Sequence, residues 1–203
     1  MQVTALSGSA DVAEKLWQEI ELAYTGANRH FHNLLHLEHM LNELQPLQSR
    51  VEDWPTLLFS ICYHDVVYDV IEHMVADDKE ERSAAFAERH LQQIGYPQEK
   101  IDACKAQIMA TQKHTKTNNY DTNLLIDADL SILGQSWRTY AAYKNNIREE
   151  YSIYLDNIYK AGRRKVLEHF LRMEPLFKTA HFHKLYEGSA KENIRKELAL
   201  LES

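Results

Sequence analysis

Apolar residues recur at helical spacing from about Ala10 to Tyr24, and Gly26 stops that run where the polar stretch 28–32 begins. The same spacing predicts a second helix from Leu34 to Leu44, ended by Gln45 and Pro46. Asp53, Trp54 and Pro55 read as a cap with Pro in the first turn, opening an apolar helix that carries Cys62, His64 and Asp65 toward Tyr68. Asp77 and Glu80 have the spacing of a capping box, and the helix they start runs to about Ile94, closed by Gly95 and Pro97. Further helices are expected at about 98–112, 122–133 with Gly134 after it, 136–159, 162–172 and 189–200.

Composition supports an all-α chain. Gly (6) and Pro (4) are scarce among 203 residues, which suits packed helices better than a sandwich or barrel. The length suits one domain, 1–203. A formal net charge of -7 sets the molecule's field against polyanions, so nucleic acid is not an expected partner. Cys62 and Cys104 form no CxxC pair, which points to a reducing compartment and to neither a disulfide framework nor a thiolate zinc site. With no signal-like N-terminus and no apolar run near ~18 residues, the expectation is a cytoplasmic protein that does not engage a membrane. The acidic run 77–81 reads as a solvated helix start.

The candidate chemistry lies in the histidines and in carboxylates set among apolar residues. Of eleven histidines, His30, His32, His36 and His39 crowd one segment, and residues three or four apart share a helix face. His32 and His36 have the i, i+4 spacing of zinc-protease helices, but Asn33 stands where the basic Glu is required, which argues against a metalloprotease. His64-Asp65 follows the apolar stretch 57–63, where a buried carboxylate needs a partner or a metal. Asp127 and Asp129 are a second pair of carboxylates in an apolar helix.

A His, then His-Asp on the next apolar helix, then a later Asp, resembles the HD superfamily of helical metal-dependent phosphohydrolases. The resemblance is carried by RHFHNLLHLEHML at 29–41, YHDVVYD at 63–69, EERSA at 80–84, DADLSILG at 127–134 and AKENIRKEL at 190–198. It implies an HD-domain helical bundle with its metal-site core at about 29–134 and C-terminal helices at about 136–203. It also implies His36, His64, Asp65 and Asp129 as metal ligands, with His39 the rival for the first position and Asp127 for the last. The HD stretch is similar to the HDVVED of guanosine tetraphosphate hydrolases, with Tyr68 in place of their Glu and Asp69 in register.

Two imidazoles and two carboxylates suit Mn, Fe, Co, Ni or Zn better than an all-oxygen magnesium site. The expected activity is metal-dependent hydrolysis of a phosphate ester or anhydride in a small phosphorylated metabolite, a nucleotide above others. Asp69 is the candidate for managing the attacking water, Lys113 and His114 for steadying the phosphate, and Arg29, His32 and Asn33 for lining the entrance. Arg148, Glu150 and Tyr151 read as scaffold. The alternatives are a non-catalytic HD module that senses metal or nucleotide, and a helical interaction protein without metal. Oligomeric state is left open.

Overall fold

The computed structural model describes residues 10–68 and 78–202, which form nine α-helices and no strand among the described residues. They are α1 (Ala10–Tyr24), α2 (Leu34–Leu44), α3 (Trp54–Tyr63), α4 (Lys79–Gln93), α5 (Gln98–Ala110), α6 (Tyr120–Leu130), α7 (Trp137–Glu150), α8 (Asp156–Arg172) and α9 (Ala180–Glu202). Short 3-10 segments follow α2 (Gln45–Arg50) and α6 (Ser131–Gly134). No described helix is long and apolar enough to cross a membrane.

The centre is α3, which packs against α2, α4, α5 and α6. Its buried positions, Thr56, Leu57, Phe59, Ser60, Ile61 and Tyr63, run round most of the helix, as expected of an element enclosed on all sides. Two carboxylates, the half-buried Asp53 and the buried Asp121, complete its start. Asp53 accepts from Thr56 N as the local cap, while Asp121 of α6 accepts from the backbone N–H groups of Glu52 and Asp53. Together they satisfy donors that a helix start leaves open. The same device recurs at α9, whose preceding residues Lys178 and Thr179 donate to Asp127 of α6.

The first two helices and the stop of α4 fall where the periodicity puts them. Gly95 takes φ +66, the left-handed conformation that glycine tolerates after a helix. The expected Asp77 cap lies outside the described residues. Four later expectations change. α3 ends at Tyr63 rather than continuing through the His-Asp pair. The 122–133 segment is an α-helix to Leu130 and a 3-10 turn beyond, against which α9 packs. Gly134 allows that approach, since a Cβ there would collide with the Tyr186 side chain. The stretch 136–159 is not one helix. Arg148 of α7 donates to the carbonyls of Tyr151 and Tyr154 and to the Asp156 carboxylate, holding a break at 151–155, so α8 starts at Asp156 and carries Gly162 inside it. Finally, α9 begins nine residues before the expected 189, because its start is satisfied from α6 rather than by a neighbour in sequence.

Candidate metal centre

Each of the four residues reaches the same point from a different structural setting. His36 stands in the first turn of α2, capped by Asn33, whose side chain accepts from Leu35 N. His64 is the C-cap of α3, and Asp65 follows in the turn. That turn is held from outside: the Arg29 guanidinium donates to the carbonyls of His32, Asp65 and Val66 at 3.0, 2.8 and 2.9 Å. The Asp65 N–H donates to the Tyr24 hydroxyl. Arg29 thus replaces the hydrogen bonds that a further helical turn would have made. Asp129 comes from the penultimate position of α6.

His36 Nε2 and His64 Nε2 lie 3.2 Å apart. Asp65 Oδ2 is 3.2 Å from His64 Nε2, and Asp129 Oδ1 is 3.2 Å from His36 Nε2 and 3.8 Å from His64 Nε2. The ligand atoms of His36, His64 and Asp65 lie within 4.8 Å of one another, and those of His36, His64 and Asp129 within 3.8 Å. Such separations suit donors sharing one ion at ~2.0 to 2.3 Å from each. His64 Nδ1 faces the Ile61 carbonyl at 2.9 Å, which fixes the tautomer that leaves Nε2 toward the site. His36 Nδ1 is buried without a hydrogen-bond partner.

The charges around this point call for a cation. Burial pushes the His64 imidazole down, but the Asp65 and Asp129 carboxylates outweigh it and lift its pKa to about 9. Burial likewise pushes Asp65 up, yet Lys79, His64 and His32 hold it well below the carboxylate range. Asp129 is held low in the same way by His114, His36 and His64. A divalent ion at the centre would supply the positive charge that a proton on His64 otherwise brings, so the donor set and its electrostatics fit a metal.

No family model, curated protein or solved structure matches the chain. The functional reading therefore rests on the chain's own residues.

Around the four, the structure distributes the other candidates unevenly. His114 takes a positive φ of 49°, uncommon for a non-glycine residue, and places Nε2 2.9 Å from Asp129 Oδ2. His32 turns Nδ1 to Glu150 Oε2 at 2.7 Å, stacks on Tyr68, and leaves Nε2 3.9 Å from Asp65 Oδ2. His39 bonds Ser131 instead, and Asp127 is committed to the start of α9, so neither rival joins the cluster. Arg29 and Asn33, expected at the entrance, are engaged with backbone: Asn33 donates to the carbonyls of Arg29 and His30. Lys113 is exposed and lines neither cavity at the site. Asp69 lies outside the described residues.

Three residues of the site went unrecognised in the sequence. Lys79 lies 3.3 Å from Asp65 Oδ1 and 3.4 Å from Glu80 Oε1, and both Lys79 and Glu80 line the pocket over the ligands. The supposed solvated acidic run thus contributes a buried carboxylate, Glu80 at 4% exposure. Glu150 also accepts from the N–H groups of Phe31 and His32, which makes it the residue that orients His32 as well as scaffold. The EERSA motif hinted at Glu80 alone and nothing marked Lys79, since charge on a helix start gives no sign of which way it faces.

Proposed function

We propose that the protein is a metal-dependent phosphohydrolase of the HD type, acting on a small phosphorylated metabolite, with nucleotides the first class to test. The observation that carries this reading is the convergence of His36, His64, Asp65 and Asp129, flanked by three further nitrogen groups, His32, His114 and Lys79. The order of these residues along the chain, which resembles the HD superfamily, supports it.

A divalent transition metal held by the four residues would supply Lewis acidity to a phosphoryl oxygen and increase the acidity of water. The chain's own groups do the rest. Lys79, anchored on Asp65 and Glu80, directs ammonium donors at a phosphate in the pocket. The hydrogen bond from His32 Nδ1 to Glu150 leaves Nε2 as an acceptor that can take the proton of the attacking water, while His114, whose Nε2–H faces Asp129, stands on the other side of the ligands and can pass its proton to the departing oxygen. Phe31, Leu130 and Leu133 wall the pocket and limit competing water.

The test is metal content of protein purified without affinity-tag metal, followed by a screen of phosphorylated metabolites with Mn, Co, Ni, Zn and Mg supplied separately. Phosphate or pyrophosphate release with at least one transition metal is expected. Tight nucleotide binding with no release under any metal would replace the enzyme by the sensing module, and absence of bound metal at every ion would remove both.

A further inference from the structure

A larger cavity of about 410 Å³ lies beside the metal pocket, and His32, Lys79, Tyr143 and Phe170 belong to the walls of both. These four form the neck between them. Past the neck the wall is made chiefly of the rings of Tyr151, Tyr154 and Tyr159 and the side chains of Ile147, Ile158 and Val166. The metal pocket itself has about 110 Å³, which suits one phosphoryl group.

The polar groups of four wall residues are paired within the protein. Arg163 Nε and Nη2 reach Glu197 at 2.9 and 3.0 Å, and its Nη1 donates to the Tyr143 hydroxyl at 3.2 Å. The Tyr68 hydroxyl donates to Glu150 and is hydrogen-bonded with Tyr151. That of Tyr159 is enclosed in the protein, out of reach from the cavity. The chamber therefore offers a ligand ring faces and aliphatic groups. A nucleobase would leave edge atoms there without the hydrogen bonds that water gave them. A chain of phosphates would meet, past the neck, one wall cation among the described residues, Arg163, and that one is already neutralised.

The outer end is apolar as well. Ile158 and Val166 line the chamber yet are 52% and 44% exposed, so the cavity meets solvent there. Ile153 and Leu155, on either side of the wall residue Tyr154, are 62% and 71% exposed. Single exposed aliphatic residues are ordinary. Four within the stretch 153–166, beside the mouth of one cavity, form an apolar surface of the kind that accompanies ligand grooves.

We propose that the substrate is a phosphate monoester of an aliphatic alcohol, with its phosphoryl group in the metal pocket and its hydrocarbon chain running through the neck into the chamber. This rests on the phosphohydrolase reading and places such esters ahead of nucleotides. The oxygen of water bonds to phosphorus and its proton goes to His32 Nε2. The phosphorus–oxygen bond to the alcohol breaks, and the alcohol leaves with a proton from His114. The chamber volume lies within the range of small-molecule sites, and each methylene taken out of water strengthens binding by up to roughly fourfold.

Alkylphosphonates, whose carbon–phosphorus bond resists hydrolysis, test the chamber apart from the reaction. Methyl-, butyl-, hexyl- and octylphosphonate would be titrated by calorimetry into the full chain with Mn present, below their micelle concentrations. Saturable binding is expected, with affinity rising by roughly two- to fourfold per methylene. Ile158→Glu places a charge where the chain enters. It should weaken octylphosphonate binding about tenfold or more, with methylphosphonate binding and bound Mn per chain unchanged. If circular dichroism shows that variant misfolded, Val166→Glu should give the same loss. Affinity that does not grow with chain length overturns the proposal, as does adenosine monophosphate bound more tightly than octylphosphonate, or full octylphosphonate affinity in a folded variant. Chain-dependent binding with no phosphate released from octyl phosphate under any of the five metals would keep the subsite and reject the hydrolase.

Discussion

Asp65 faces two partners at once, with Oδ2 toward His64 and Oδ1 toward the Lys79 ammonium. Asp65→Ala is therefore expected to reduce bound metal to background, read by elemental analysis, and to lower stability by about 3 kcal/mol, because a buried ion pair loses one side. Arg29 gives a contrasting expectation. Its planar fork spans three carbonyls, which the single ammonium of lysine cannot match, so Arg29→Lys should lower stability by about 2 kcal/mol in urea titrations and weaken metal affinity. If Arg29 instead met the substrate, the change would raise KM and leave stability alone. A carboxylate beside a run such as 57–63 has few inexpensive environments, which marks Asp65 in the sequence, whereas the choice of His36 over His39 and of Asp129 over Asp127 came from the resemblance to the HD superfamily. The sequence did not expose the duty of Arg29, since a guanidinium beside a histidine cluster reads equally as an anion contact or as a clamp on carbonyls 36 and 37 residues away.

At the level of elements, helix starts in this protein are completed across the fold. Asp127 takes three hydrogen bonds at the entry to α9, and Asp127→Ala should destabilise by roughly 2–3 kcal/mol by leaving buried donors unpaired. Metal content should not change, since Asp129 points to the other side of α6. Loss of metal along with stability in that variant would mean that the two aspartates are coupled. The beginning of α9 was illegible for the same reason: its cap is more than fifty residues away, while Gly188 and Ser189 imitate a local start. The break between α7 and α8 was hidden because apolar spacing persists through it and no Gly or Pro marks it. Arg148→Ala should loosen that joint by about 2 kcal/mol, seen as faster amide exchange at 151–156 with α2 and α3 unaffected.

Across the whole molecule, the buried charges around the metal point set the pH response. In chelator-treated protein, Asp65 and Asp129 have folded pKa values below their unfolded values near ~3.9. Their contribution is present above that value and lost as pH falls through and below it. His64 runs the other way: lifted from 6.5 to about 9, it contributes fully below 6.5 and loses that contribution, roughly 3 kcal/mol, as pH rises to about 9. Metal binding displaces that proton, so the melting temperature should decline between these limits with chelator and stay nearly level with Mn. Parallel curves would mean that the ion does not sit on His64. The sequence by itself determined the all-helical class and the first helices, because periodicity and caps are local costs that the chain must settle near where they arise, while the four residues that meet were implied by the order His, His-Asp, Asp that resembles the HD superfamily. Only the tertiary structure decided that α3 stops before the His-Asp pair, that Asp127 caps a distant helix, and that Lys79 and Glu150 face inward while Lys113 faces solvent. Those outcomes depend on which backbone donors and acceptors are brought together by packing, and spacing along one chain carries no information about partners that lie dozens of residues away.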